Sequence, residues 1–302
     1  MNTDNDPKQG HQLRVWIAGA RPRTLPVAVA GVLTGCGAAA ELNAFSPLRA
    51  LLALIVAVAL QVGVNYANDY SDGIRGTDDN RVGPVRLVGQ GLATAAAVRR
   101  AALLAFLVAA LAGVVLVALS GRWWLLILGA ACLLAGWFYT GGPRPYGYLG
   151  LGEVFVFIFF GVVPVLGTCY VQADRISGPG IFASCGVGLL ACAVLLTNNL
   201  RDIPGDTQVG KRTLAVRIGA ARTRGLYLMI VLLAGGTLIG IAWLTQWWVL
   251  VTLVVFALAV NPVRIVMGGA TGAALIPALK STGLLVLGYG VAVAVALALV
   301  PA

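Results

Sequence analysis

Long apolar runs separated by short polar segments dominate the pattern along this chain. Runs such as 51–64 and 103–119 are almost continuously apolar and do not alternate with the two-residue period of a strand. Segments of membrane-spanning length occur at about 24–41, 48–68, 99–120, 123–140, 152–172, 179–200, 224–243, 246–262 and 280–300. The pattern predicts an all-α polytopic membrane protein with nine transmembrane helices.

Composition supports a membrane protein and excludes two alternatives. Of 302 residues, 59% are hydrophobic and 11% are charged. A soluble helical protein would need polar outer faces that this composition does not supply, and a transmembrane barrel would need alternating segments of about ten residues. We expect one transmembrane domain over 1–302, with 1–13 as a polar N-terminal tail and no secretory signal peptide.

The basic residues predict the orientation. The net charge is +10, and 18 of the 21 Lys and Arg residues fall on the side of the N-terminus, the others being Arg49, Arg122 and Arg175. Such a bias marks the cytoplasmic side. We therefore expect the N-terminus inside, the C-terminus outside, a location in the cell membrane and contact with lipids rather than nucleic acid.

Cysteine and histidine usage narrows the chemistry. The five cysteines lie mostly in apolar stretches without a Cys-x-x-Cys pair, as buried small hydrophobic residues do. The single histidine, His11, lies in the polar tail, which argues against haem and histidine-based zinc or iron sites.

Two asparagine–aspartate clusters at the ends of apolar segments are the main candidates for chemistry. Four of the eleven acids lie in them, and acids at a membrane boundary are functional candidates by default. Residues three and four apart share a helix face, so each cluster forms a stripe: Asn65, Asn68, Asp69 and Asp72 in the first, and Asn198, Asp202 and Asp206 in the second. The aspartates are predicted catalytic ligands of Mg²⁺, a cation that prefers carboxylate oxygens and substrate phosphates. Helix capping or pairing with arginine is the simpler alternative.

The surroundings of the second cluster carry further expectations. Pro204 disfavours helical geometry at Ile203, so we expect the helix to end there and leave Asp206 less certain. The connections at about 69–98 and 201–223 are the longest and could act as lids. Because four spans separate the clusters, both should lie on the cytoplasmic side, and their spacing hints at a duplicated four-helix unit.

Basic and aromatic residues near the clusters suggest an anionic, aromatic substrate. We assign Arg81 and Lys211 to a diphosphate, since arginine and lysine bind phosphate well, and Arg99, Arg100, Arg222 and Arg224 to lipid headgroups. Arg21 precedes the first span, and Tyr139 and Arg144 lie in a loop ending in Tyr-Gly-Tyr. The tyrosines are equally compatible with interfacial anchoring. Glu153, inside the fifth span, needs a partner or water.

These motifs resemble the UbiA superfamily of intramembrane prenyltransferases, and within it the branch acting on 1,4-dihydroxy-2-naphthoate in menaquinone synthesis. The similarity lies in three segments: Asn-Asp-Tyr-Ser-Asp-Gly-Ile-Arg-Gly-Thr-Asp-Asp-Asn-Arg-Val-Gly-Pro-Val-Arg at 68–86, Tyr-Thr-Gly-Gly-x-x-Pro-Tyr-Gly-Tyr at 139–148 and Asn-Asn-Leu-Arg-Asp-Ile at 198–203. It implies helices around a central cavity and Mg²⁺-dependent transfer of a polyprenyl chain from its diphosphate to dihydroxynaphthoate, with loss of CO₂ and diphosphate, to give demethylmenaquinone. Asn65, Asn68, Arg81, Asn198, Tyr139, Arg144 and Arg21 are then substrate-binding.

The match has departures and leaves alternatives. Gly76 stands where the superfamily often has an acid, so Asp78 or Asp79 is a candidate substitute, and Arg144 replaces a lysine at shifted spacing. A prenyltransferase with another acceptor, such as 4-hydroxybenzoate, and a transporter of an anionic metabolite remain open. Prenyl chain length, oligomeric state, acceptor contacts and any general base are not readable from these motifs.

Overall fold

The fold is a bundle of helices, seen in a computed structural model that describes residues 7–76 and 85–300. The α-helices are α1 Pro7–Gly19, α2 Leu25–Glu41, α3 Pro47–Ile74, α4 Ala95–Ser120, α5 Leu125–Phe138, α6 Gly152–Val156, α7 Val163–Ala173, α8 Gly178–Gln208, α9 Leu214–Leu244, α10 Val260–Met267 and α11 Ile276–Ala298. A π-helical stretch, Phe157–Val162, joins α6 to α7. Shorter or tighter 3-10 segments are Pro22–Thr24, Tyr146–Tyr148, Trp247–Ala259 and Gly272–Leu275. Within these ranges all regular secondary structure is helical, which confirms the all-α prediction.

Membrane-spanning length follows from the long helices. Eight helical segments of the described part are long and apolar enough to cross a membrane. The shorter α5 has 14 residues, or about 21 Å at 1.5 Å per residue, against a hydrocarbon core of about 30 Å. It corresponds to the predicted span at 123–140. The chain is a multi-pass membrane protein, while the count of nine spans and the orientation stay predictions.

The helices that carry the acidic clusters are longer than the sequence pattern indicated. The first cluster lies wholly within α3, which continues to Ile74. The prediction of a second long connection at 201–223 was wrong, because α8 continues to Gln208 and α9 already begins at Leu214. The Thr213 side chain caps α9 by accepting a hydrogen bond from the Val216 N–H. The polar residues taken for a loop are therefore mostly helical, with a break at Gly219.

Helix α8 also passes through Pro204, so the expected end at Ile203 was wrong. A proline removes the hydrogen bond that its own N–H would have donated one turn back. In α8 that N–H would have served the Leu200 carbonyl, so only one bond of the ladder is lost. Here the Thr207 hydroxyl donates to the Ile203 carbonyl at 2.7 Å. The last turn persists, and Asp206 lies one helical turn beyond Asp202, where both are buried.

Small residues bring the central helices close together. A Cβ added to Gly37 of α2 would lie 2.4 Å from the Ala294 Cα of α11, and one added to Gly290 of α11 would lie 2.8 Å from the Ala30 Cβ. Such close backbone approach is how membrane helices gain packing contacts without a hydrophobic driving force. Helices α2 and α11 thus pack closely against each other.

At the end of the bundle away from the acidic clusters, arginines connect the ends of neighbouring helices. Arg49 donates hydrogen bonds to the carbonyls of Leu119, Val171 and Gln172, near the C-terminal ends of α4 and α7. Basic groups are favourable at helix C-termini because they complement the helix dipole. Arg122 pairs with Asp174 nearby. This end contains the three basic residues that the sequence separated from the rest.

Candidate active site

The polar end of α3 is buried despite its two carboxylates. Asn65, Asn68, Asp69 and Asp72 are 3%, 9%, 0% and 3% exposed. Aspartate is rarely buried to this extent unless it is paired or hydrogen-bonded. The predicted helical stripe is therefore present, and each member has a defined set of contacts.

Asp69 holds a segment of backbone in place. Its two carboxylate oxygens accept hydrogen bonds from the N–H groups of Leu87 and Val88, at 2.8 and 3.0 Å. With no exposed surface, this carboxylate fastens the chain after the first connection to α3. The positive charge of Arg21 also acts on it. Arg21 itself has a left-handed backbone, with φ of 53°.

Asn65 ties α3 to the N-terminal segment. Its amide N–H₂ donates to the Ala20 carbonyl at 2.8 Å and to the Thr24 hydroxyl at 3.1 Å. Gln61, one turn earlier, donates to the same hydroxyl and to the Asn65 oxygen. The Arg21–Thr24 turn is thereby positioned beside the first cluster, as the sequence suggested.

At the second cluster, Arg201 neutralises Asp202. Its Nε and Nη2 donate to the two carboxylate oxygens at 2.7 and 2.8 Å, and Nη2 also donates to the Asn198 Oδ1. Nη1 of Arg201 is buried and has no hydrogen-bond acceptor among the residues that the structure describes. Arg201 is part of the sequence motif, but the sequence indicated no role for it.

Asp206 and Lys211 form the outer part of this cluster. The Lys211 Nζ lies 3.9 Å from the Asp206 Oδ1, and the Lys211 N–H donates to the Asp206 carbonyl. Both side chains are largely buried, at 8% exposed for Asp206 and 12% for Lys211. Lys211 therefore lies beside the second acidic cluster, and its assignment to a diphosphate stays a prediction.

The loop between α5 and α6 joins the two clusters. The Tyr148 hydroxyl donates to the Asp72 Oδ1 at 2.8 Å, and the Lys211 Nζ lies 4.9 Å from the centre of its ring. The Thr140 hydroxyl donates to the Asn68 Oδ1 at 2.7 Å, and Arg75 donates to the carbonyls of Thr140 and Gly142. Both clusters therefore lie at one end of the bundle, as predicted.

An apolar cavity of about 500 Å³ opens beside the first cluster. Its walls come mainly from α3, α4, α5, α7 and the π-helical stretch, including Leu128, Phe155, Phe159 and Val163. Its polar lining consists chiefly of Gln61, Asn65, Asn68, Thr168, Tyr139 and Tyr146. The volume is typical of a small-molecule site.

Aromatic residues shape the wall next to the first cluster. Tyr146 stacks on Phe155 with ring centres 4.0 Å apart, and its hydroxyl donates to the Ala135 carbonyl. Tyr139 packs edge-on against Tyr146.

The remaining predicted residues are placed differently. Glu153 has a partner, because its Oε1 accepts a hydrogen bond from the Asn199 amide at 3.1 Å. Arg144 is exposed on the loop rather than part of the cavity wall. Arg224, assigned to lipid headgroups, donates instead to the carbonyls of Val266 and Ala270. Arg81, Asp78 and Asp79 lie outside the described residues.

The acids of the two clusters are the candidate ligands for a metal ion. Among the residues described, no group of three or more His, Cys, Asp or Glu side chains is placed to hold one. Mg²⁺, however, is usually bound through one or two carboxylates and completed by water and substrate phosphates. Asp72, Asp202 and Asp206 supply carboxylates of that kind around the Tyr148 loop, so the residues fit such an ion.

Comparison with known proteins gives three results. The UbiA prenyltransferase family model matches residues 28–267. The 1,4-dihydroxy-2-naphthoate octaprenyltransferase of Mycobacterium tuberculosis is 54% identical over 283 residues, which are 94% of this chain and 96% of that protein. The protein of the same name from Escherichia coli is 42% identical over 223 residues, or 72% of each chain.

A solved structure shares the fold. A UbiA homolog from Archaeoglobus fulgidus bound to GPP and Mg²⁺ aligns with a TM-score of 0.66, covering 93% of this chain and 99% of that chain at 13% identity. At that identity the likeness concerns the fold alone. The resemblance inferred from the motifs is confirmed by the family model, which spans most of the sequence. The chain belongs to the UbiA prenyltransferase family.

Proposed function

We propose that this protein transfers a polyprenyl chain from polyprenyl diphosphate to 1,4-dihydroxy-2-naphthoate. The observation that carries the proposal is an apolar cavity lined by Asn68 of the first cluster, at the end of the bundle where Tyr148 links Asp72 to Lys211. An amphiphilic donor needs this pairing of an apolar chamber with charged groups nearby. The names of the M. tuberculosis and E. coli relatives, both octaprenyltransferases, make octaprenyl diphosphate the donor to test first.

In this proposal Asp72 and Asp206, one from each cluster, would hold Mg²⁺ together with water and substrate phosphate, and Asp202 would join them through an oxygen that turns from Arg201 to the ion. When bound, Mg²⁺ neutralises the negative charge that develops on the leaving diphosphate. Asp69 has a different role, because both of its oxygens are occupied by backbone N–H groups and its side chain is not exposed. It positions the chain after the first connection.

Basic side chains bind the diphosphate. Lys211 lies between Asp206 and Tyr148, and its ammonium acts as a point charge on a phosphate oxygen. The buried Nη1 of Arg201 donates to another phosphate oxygen, which provides the acceptor that it lacks among the described residues. Arg81 and Arg21 are proposed to complete this set. These donors strengthen their interaction as the carbon–oxygen bond breaks, so they lower the barrier.

The cavity protects the allylic cation. Its walls are apolar and aromatic, so water is kept away from the carbon that loses diphosphate. Tyr139, Asn65 and Asn68 line its polar part and are proposed to orient the acceptor. Asn198, which accepts a hydrogen bond from Arg201, is proposed to bind substrate at the second cluster. Arg144 is proposed to contact substrate from the exposed part of the loop.

The chemistry balances without a further reactant. The new carbon–carbon bond forms at the ring carbon that bears the carboxylate, and the bond to that carboxylate then breaks, so CO₂ leaves and its electron pair restores the aromatic ring. A dedicated carbon base is therefore unnecessary. No oxidation occurs in this step, so the immediate product is the hydroquinone form, demethylmenaquinol, and demethylmenaquinone follows after oxidation.

We also propose that the protein lies in the cell membrane with both acidic helix ends facing the cytoplasm. The support is the distribution of basic residues, 18 of 21 of which fall on that side. Substrates in the cytoplasm would then reach the two acidic clusters directly.

The test uses purified protein in lipid nanodiscs with Mg²⁺ and octaprenyl diphosphate. Dihydroxynaphthoate, 4-hydroxybenzoate and a ring lacking the carboxylate are supplied separately, and products are identified by mass spectrometry. We expect a prenylated, decarboxylated product from dihydroxynaphthoate alone. Product from 4-hydroxybenzoate alone would refute the acceptor assignment. Absence of diphosphate release in detergent, where no second compartment exists, would favour a transporter.

A further inference from the structure

Tyr148 contacts both acidic helix ends. Its hydroxyl donates to the Asp72 Oδ1 at 2.8 Å. Arg75 caps the C-terminus of α3, and its guanidinium lies 5.6 Å from the Tyr148 ring centre. On the other side, the Lys211 ammonium lies 4.9 Å from the same ring centre. The Arg212 N–H donates to the Tyr148 carbonyl at 3.1 Å. Tyr148 thus connects the end of α3 to the segment that follows α8.

The turn that presents Tyr148 is built by its sequence. Pro145 precedes the 3-10 turn Tyr146–Tyr148 with φ of −65°, and the Tyr148 N–H donates to the Pro145 carbonyl at 3.1 Å. The Gly147 N–H donates to the Tyr139 carbonyl, and a Cβ on Gly147 would lie 2.6 Å from that oxygen. Only glycine fits there, so the position of Tyr148 is fixed by its neighbours.

We propose that Tyr148 is a positioning residue that sets Asp72 and Lys211 for joint action on the diphosphate and its metal ion. This rests on the function proposed above. The hydroxyl bond limits rotation of the Asp72 carboxylate. The ring face attracts the ammonium of Lys211, whose four-carbon stem is otherwise flexible. A charged group held by neighbouring side chains loses less freedom when its ligand arrives.

Two substitutions separate these contacts. Tyr148→Phe keeps the ring beside Lys211 and removes the hydroxyl bond to Asp72. Tyr148→Leu removes both. Tyr227→Phe is the matched control, because it also deletes a buried hydroxyl, the one bonded to Thr282 at 2.8 Å within the helix core.

The first measurement is titration calorimetry of Mg²⁺ with inorganic diphosphate, on protein that elutes at the wild-type position. The second is kcat and KM for octaprenyl diphosphate at varied Mg²⁺. We expect Tyr148→Phe to raise the Mg²⁺ concentration for half-maximal effect about fivefold or more in both. Tyr148→Leu should also raise the donor KM about tenfold, because Lys211 loses its ring contact. Tyr227→Phe should match the wild type in both.

Three outcomes decide the proposal. Wild-type Mg²⁺ and diphosphate binding in Tyr148→Phe would overturn it. An equal loss in Tyr227→Phe would also overturn it, since the effect would then be general loosening of the fold. If the wild-type protein does not prenylate dihydroxynaphthoate but Tyr148→Phe still weakens Mg²⁺–diphosphate binding, the acceptor assignment fails and the role of Tyr148 is supported.

Discussion

The buried pair of Arg201 and Asp202 allows a test of whether the second cluster does chemistry or only holds the helix together. The two hydrogen bonds between them are 2.7 and 2.8 Å long, and the side chains are 2% and 5% exposed. Asp202→Asn leaves the arginine buried without its counter-ion, and Arg201→Gln does the same to the carboxylate. Breaking a buried pair from one side costs about 3–5 kcal/mol.

Stability and activity should separate in the double variant. About 3–5 kcal/mol should lower the melting temperature by about 5 °C or more in each single variant, measured by thermal shift in detergent. In Arg201→Gln with Asp202→Asn, both groups are neutral, so most of the melting temperature should return. The ratio kcat/KM should remain at least about a hundredfold below the wild type, or about 2.7 kcal/mol of lost transition-state stabilisation, because the proposed metal ligand and phosphate donor are both gone.

A second ion pair supplies the control. Arg122 and Asp174 pair at the opposite end of the bundle, where their side chains are 44% and 51% exposed. Exposed pairs contribute about 0–1 kcal/mol, so the same neutral replacements there should change neither stability nor activity appreciably. Recovery of wild-type kcat/KM in the double variant of the buried pair would refute a chemical role for Arg201 and Asp202, and would leave them as a structural clamp.

Three further predictions follow from the placement of the site. Asp72→Asn should lower turnover at least a hundredfold, measured by mass spectrometry of the product, and a chelator should inhibit the wild type; full activity in chelator would exclude the metal. Asp69→Asn should mainly lower the melting temperature, because an asparagine has one oxygen to accept the two backbone N–H groups instead of two. Lys211→Gln should lower kcat/KM about tenfold or more, with the exposed Arg222→Gln near wild type; equal effects would return Lys211 to a lipid role. A cysteine placed at the exposed Gln208 should resist an impermeant thiol reagent added outside intact cells, and rapid labelling would reverse the proposed topology.

The sequence was sufficient where local periodicity decides the structure. The stripe at Asn65, Asp69 and Asp72 follows from helical spacing alone, and α3 presents these residues as expected. The apolar runs likewise predicted the long helices, because spanning length and continuous hydrophobicity leave few alternatives. What the runs could not give was where each helix stops, since polar residues continue a membrane helix as well as they begin a loop.

The errors had a local and a long-range cause. Propensity placed the helix end before Pro204, but the proline removes only the hydrogen bond to the Leu200 carbonyl, and the helix continues to Gln208. The role of Tyr148 was equally unreadable, because its partner Asp72 lies 76 residues away along the chain. Its only local signal was the Pro-Tyr-Gly-Tyr turn, whose glycine marks a close backbone approach to Tyr139.

The distribution of partners explains how so many acids persist at this membrane boundary. A buried carboxylate is costly unless it is hydrogen-bonded or paired. Asp69 is satisfied by backbone N–H groups, and Asp202 by a guanidinium. Asp72 receives a tyrosine hydroxyl, and Asp206 lies beside an ammonium that also contacts the same tyrosine. Both of these contacts come from side chains, which can turn toward a ligand more readily than the backbone N–H groups that hold Asp69. The acids most open to chemistry are therefore those that the Tyr148 loop holds, which is why a substitution there should alter metal and diphosphate binding before it alters the fold.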